Sequence, residues 1–182
     1  EHAQAQAYNL EDALSQSFHL LKMHLQALGE DHPDLAQQPQ QLQVAMAALQ
    51  QKLPYIRSLS ALDGQGKIHI STDPANVGQR LLLGELQHSV VPGAAGVLRF
   101  GHPWRGRNFA DGTPWPRHRE GGLVVDSGFF PVTLVLPGAP QWTLLATINS
   151  DYFINLALNH QTSVPLRYSV YSDDGTLLFS TN

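Results

Sequence analysis

Pro54 separates two hydrophobic periods, and that change of period narrows the folds open to this chain. Before it, Leu10, Leu14, Phe18, Leu21, Leu25 and Leu28 recur at intervals of three and four, the spacing that lines one face of an α-helix. Gly29 and Pro33 mark where that helix is expected to stop. A second helix is predicted from Gln40 to Lys52, with Leu42, Met46, Leu49 and Leu53 on one side. Pro39 suits its first turn and Pro54 ends it. The first stripe fits two uses: packing on a neighbouring sheet, or a parallel dimer seam running down to a membrane span. The two uses are compatible at different ends of one helix.

Beyond Pro54 the pattern becomes short β-prone runs divided by turn residues. Leu59–Leu62 and Lys67–Ser71 flank Asp63-Gly64-Gln65-Gly66, a hairpin signal. Asp73–Gly78 reads as a further turn, and Val97–Phe100 as the next strand. A polar loop rich in Gly and Pro follows, from Gly101 to Gly122. Phe129–Val135 and Trp142–Ile148 flank Leu136–Pro140 as another hairpin, and Asp151 opens a short helix to about His160. Helices followed by an antiparallel meander make an α+β layered fold.

Composition removes several classes of function. With 182 residues the chain holds one domain, or one domain and part of a second. The absence of cysteine excludes thiolate metal sites, redox pairs and cysteine nucleophiles. A net charge of -4, with 14% charged residues, lacks the basic face of a nucleic-acid binder. No apolar run reaches the roughly 18 residues of a membrane span, and no signal-peptide pattern opens the chain. Helical periodicity begins at once and the last residues stop within a strand-like pattern, so the chain is expected to be an excised piece of a longer protein.

No nucleophile elbow, phosphate-binding loop or dinucleotide fingerprint is present. His118-Arg119-Glu120 matches the His-x-Glu of zinc deaminases without their cysteines. Asp31, His32 and Asp34 read as a polar helix terminus rather than a metal site. Neither a catalytic centre, a cofactor nor a bound metal is therefore expected.

Three passages resemble the Cache or PDC sensor domains, the extracellular PAS-like modules of bacterial histidine kinases, diguanylate cyclases and chemoreceptors. Ile56–Ile68, followed by Ser71–Gly78 with its small-residue, Asn, apolar, Gly turn, is similar to the family's first hairpin. Phe130–Val132 through Ala146–Phe153 resembles its last two strands and the step into the next helix. Leu166–Leu178 is similar to the opening hairpin of a second, membrane-proximal module.

The resemblance implies a long N-terminal helix on one face of a five-stranded antiparallel PAS-like sheet and a ligand pocket on the other. It divides the chain into a helical segment (1–53), a sensor domain (54–153) and a helix with hairpin (154–182), the last being the start of a second PAS-like module. That hairpin either joins the surface of the first domain or dangles. Also implied are a periplasmic address on an inner-membrane protein, flanking transmembrane helices and a cytoplasmic output domain, histidine kinase or diguanylate cyclase. The alternative function is a ligand-free dimerisation or protein-interaction module of the same kind of receptor, its pocket filled by Phe109, Trp104 and Trp115. The leucine stripe permits a homodimer.

Five of the eleven basic residues, Arg99, Arg105, Arg107, Arg117 and Arg119, fall in the stretch that the resemblance sets beside the pocket. Trp104 and Trp115 are interleaved with them. Guanidinium groups grip carboxylates bidentately and indoles offer flat apolar walls, so the partner expected here is a small organic anion. The candidate ligand-binding residues are Arg99, Trp104, Arg105, Arg107, Trp115, Arg117 and Phe130. Receptors of this family that bind amino acids carry an acid near the end of the last strand, whereas Ala146-Thr147-Ile148-Asn149 has none before Asp151. An α-amino acid is thus disfavoured, and Asp151 is expected to cap the following helix.

Overall fold

A computed structural model describes residues 2–86, 95–114, 128–159, 167–173 and 175–180. Two helices come first, α1 (His2–Asp31) and α2 (Pro39–Lys52). Strands β1 (Ile56–Leu62) and β2 (Ile68–Ser71) lead through the 3-10 turn Pro74–Asn76 to the one-turn helix α3 (Leu83–Leu86). Next are β3 (Leu98–Phe100), β4 (Trp104–Arg105), β5 (Thr113–Pro114), β6 (Gly128–Val135) and β7 (Thr143–Asn149). Helix α4 (Ser150–Asn159) and the hairpin β8 (Ser169–Tyr171) and β9 (Leu177–Ser180) complete the order.

The main sheet runs β2-β1-β7-β6-β4-β5, with β3 also on β6, and every pairing is antiparallel. Among the described residues it has seven strands where five were expected. The two extra pieces, β4 and β5, have two residues each and lie within the predicted loop. Five of these seven reach three residues, in the order β2-β1-β7-β6-β3.

Side-chain alternation divides the sheet into two unlike faces. On the first, Leu59, Ala61, Phe130, Val132, Leu134, Leu144, Ala146 and Ile148 join one core with the α1 leucines. Leu21 and Leu25 are wholly buried there, so the predicted stripe is spent on the sheet. Phe18 meets Phe100 edge-on at 4.9 Å. The Tyr55 hydroxyl donates to the Ser17 carbonyl at 2.7 Å, tying mid-helix to the start of β1. Burial, and then the neighbouring Tyr152, push the Tyr55 phenol up to about 12.

Helix α1 runs through Gly29 and stops at Asp31, two residues before Pro33. A glycine inside a helix costs about 1 kcal/mol relative to alanine, but here it permits contact: a Cβ on Gly29 would lie 2.5 Å from Leu136 Cδ2. The final hairpin does not dangle. Leu178 and Phe179 enter the same core as α1, Phe179 stacks on Phe153 at 6.0 Å, and the Tyr168 hydroxyl donates to Gln6 at 3.2 Å.

Candidate functional site: the arginine cluster on the second face

The second face carries small polar residues at its centre. Ser58 and Thr147, opposite each other on β1 and β7, share a hydroxyl hydrogen bond of 2.7 Å. Ser60 donates to Ser71 across β1 and β2 at 2.9 Å. Asn76, entirely buried, donates to Ser58 Oγ at 3.4 Å and accepts the Phe109 N–H at 2.8 Å. Its amide thereby bolts the segment after β4 onto the sheet. Asn108 folds that segment on itself, accepting from Ala110 N at 3.0 Å and Asp111 N at 2.9 Å.

This fold sends side chains two ways. Phe109 turns inward, meeting Trp104 at 4.9 Å and Phe129 at 5.1 Å, and Trp104 stacks on Phe129 at 6.1 Å. These rings fill this part of the face themselves. Arg105 and Arg107 stay exposed on either side of Gly106.

A third guanidinium arrives from β1. The register of β1 against β7 shifts between Ile56 and Ser58, leaving Arg57 as the extra residue of a bulge, a device that re-aims a side chain. Gln50 on α2 donates to the Arg57 carbonyl at 2.7 Å and so satisfies the bulged backbone. The guanidinium donates to the Gly106 carbonyl at 3.0 Å and to Asn149 Oδ1 at 3.1 Å, and lies over the Phe129 ring at 5.7 Å. Burial lowers the Arg57 pKa; the Asp151 charge opposes that shift and Arg107 adds to it. Arginine's ordinary pKa is so high that the group stays cationic. Arg57 and Arg107 thus bring positive charge together beside Gly106, with Arg105 exposed one residue before that glycine.

The sequence-derived candidates separate. Trp104 joins the ring cluster on the second face, while Arg105 and Arg107, close to it in the chain, are exposed. Arg99 is buried on the same face but opposite Thr133, four residues along β6 from Phe129, the partner of Trp104; that is about 13 Å at strand rise. Phe130 is corrected outright: it points to the first face, wholly buried 6.2 Å from Phe18, because it alternates with Phe129. Trp115 and Arg117, with His118 and Arg119, lie outside the described residues. Asp151 does not cap α4. Asn149 does, accepting the Asp151 N–H at 3.2 Å. Arg57, Asn76 and Asn149 were missed. The Asn within the Ser71–Gly78 turn was the one available signal, and nothing local marks the other two.

Elsewhere, His32 Nδ1 lies 3.0 Å from the Leu28 carbonyl, so its ring serves the end of α1. Among the described residues no cluster of three His, Asp or Glu is arranged to hold a metal ion, and no helix is long and apolar enough to cross a membrane.

No family model and no curated protein matches the chain. Among solved structures it is similar to the extracellular domain of the "putative histidine kinase rpHK1S-Z16", with a TM-score of 0.67 and 15% sequence identity over 98% of this chain and 68% of that one. At that identity the likeness is one of fold.

Proposed function

We propose that the chain is the extracytoplasmic, ligand-sensing domain of a membrane-anchored signal-transduction protein, PAS-like and of the PDC or Cache kind. It binds a small organic anion at the arginine cluster and itself catalyses nothing. The chemistry of signalling belongs to an output domain, histidine kinase or diguanylate cyclase, beyond flanking transmembrane helices. The β8–β9 hairpin opens a second module of the same type. The fold likeness to a receptor's extracellular domain supports the sensor reading. The observation that carries the ligand class is the meeting of Arg57 with the Gly106 carbonyl and with the charge of Arg107, next to a further arginine in the chain, Arg105.

Ligand binding biases a sensor only through a difference in affinity between two states. Arg57 supplies a route for that difference, since its guanidinium bridges the loop to Asn149, the cap of α4, while Gln50 of α2 holds its backbone. The competing reading, a ligand-free dimerisation or interaction module, is favoured by the self-filled packing of Trp104, Phe109 and Phe129.

A thermal-shift panel of acetate, succinate, malate and citrate separates the two. At 100 times its dissociation constant a ligand adds about 2.7 kcal/mol of stability, which raises Tm by several degrees. At least one acid should do so for the wild type and lose the effect with Arg105→Ala/Arg107→Ala. Both side chains are exposed, so the fold survives their removal. No shift with any acid, or an equal shift in the double variant, would overturn the anion reading.

A further inference from the structure

A second cavity, with no arginine among its described lining residues, lies at the other end of β6 from the arginine cluster. It has a volume of ≈ 840 Å³ and opens between the last turn of α1, the 32–37 segment and the β6–β7 turn. That size suits a small organic molecule. Leu136, Pro137 and Trp142 supply an apolar wall. Leu136 is fixed from both sides: its N–H donates to the Trp142 carbonyl at 2.9 Å, and its methyl groups fill the space that the missing Gly29 side chain leaves.

Among the described residues the ionisable lining of the cavity is Glu30, His32 and Asp34, two carboxylates and an imidazole, with neither Lys nor Arg. Among the described residues no cation lies within salt-bridge distance of Glu30 or Asp34, since the one ion pair there joins Asp63 and His69. The C-terminus of α1 borders the same space, and the partial negative charge of its last carbonyls is countered by no basic residue in the last turn. His32 gives a ring nitrogen to the Leu28 carbonyl instead. An indole wall adds a face that attracts cations.

We infer that this cavity is a second ligand site, for an organic ammonium ion with an apolar body. The apolar part lies against Leu136, Pro137 and Trp142, and the charge faces Glu30, Asp34 and the end of α1. An anionic ligand is repelled by the same groups, so this site and the arginine cluster select opposite charges. The inference stands independently of the anion reading.

Three probes of similar size test it at pH 7.5: phenethylammonium, 2-phenylethanol and phenylacetate. Each is titrated while the Trp142 indole N–H is followed by NMR, assigned through Trp142→Phe. Phenethylammonium should shift that signal saturably, at least fivefold more tightly than 2-phenylethanol, with phenylacetate weakest. Glu30→Gln/Asp34→Asn changes two exposed side chains and should bring the ammonium down to the affinity of the alcohol. Arg105→Ala/Arg107→Ala should leave it unchanged. No saturable shift at Trp142, equal affinity for ammonium and alcohol in the wild type, or a preference that persists in Glu30→Gln/Asp34→Asn would overturn the site.

Discussion

Asn76 uses both ends of its amide to hold β1 and the segment around Phe109 together, in a place closed to bulk solvent. Removing one partner of a buried hydrogen bond leaves the other unsatisfied, at about 1–3 kcal/mol. Asn76→Ala should therefore lower the urea midpoint by that amount and raise hydrogen exchange at Phe109 N; an unchanged exchange rate there would show that the clamp is not needed. Asp63 works similarly at the surface. Its carboxylate accepts from Gln65 N at 2.8 Å and Lys67 N at 3.1 Å, and meets His69 Nε2 at 2.7 Å. The His69 bond is the main reason its pKa falls from 3.8 to about 2, with the two backbone donors adding to it. A carboxyl depressed in the folded state stabilises fully above its unfolded value and loses that stabilisation as pH falls through the folded one. The Tm advantage of wild type over Asp63→Asn should hold above about pH 4 and shrink towards pH 2; a difference that stays flat over that range would dismiss the ionised contact. Such roles were only partly legible beforehand. Asp63 sits in a readable turn, and the Asn76 motif was visible. Arg57 was not, because its partners Gly106 and Asn149 are 49 and 92 residues away and its bulge exists only once β7 is paired.

The β1–β2 hairpin shows why a readable element leaves its detail open. Asp63-Gly64-Gln65-Gly66 signals a turn, yet its two glycines look equivalent in the chain. In the fold only Gly66 has a left-handed backbone, with φ of 82°, and a Cβ there would fall on the Leu81 carbonyl. A Cβ on Gly64 meets nothing nearer than the Gln141 carbonyl at 3.8 Å. Gly66→Ala should cost about 2–4 kcal/mol from left-handed strain and overpacking together, whereas Gly64→Ala should stay within about 0.5 kcal/mol; equal effects in chemical denaturation would refute the assignment. Helix α1 was legible through its period, but its passage through Gly29 was not, since only the nearness of Leu136 rewards a bare Cα. Strands β4 and β5 escaped notice because two-residue pairings inside a Gly- and Pro-rich loop carry no period. Pro114 is tolerated there at the sheet's edge, where a missing N–H breaks no central ladder.

Across the molecule, the two faces of one sheet are put to different uses. The first is sealed by α1, α2, α4 and the last hairpin into one core. The second holds the polar centre, the aromatic cluster and the arginines. The layer order was legible because the hydrophobic period changes from helical to strand-like at Pro54. The face assignment was only half legible: Phe129 and Phe130 are both apolar and buried, and strand register alone decides which one joins the second face. Within the chain the Leu10–Leu28 stripe is buried, and the other side of α1 exposes Tyr8 and Met23. The proposed setting, outside the cytoplasm on a membrane-anchored receptor, is open to cysteine labelling because the chain contains no cysteine. Val44, 71% exposed on α2, accepts a thiol without touching the core. In the full-length receptor carrying Val44→Cys, with any cysteine outside this domain replaced, a small maleimide excluded by the inner membrane should label intact cells as fully as permeabilised ones. Labelling that appears only after permeabilisation would contradict the sensor assignment.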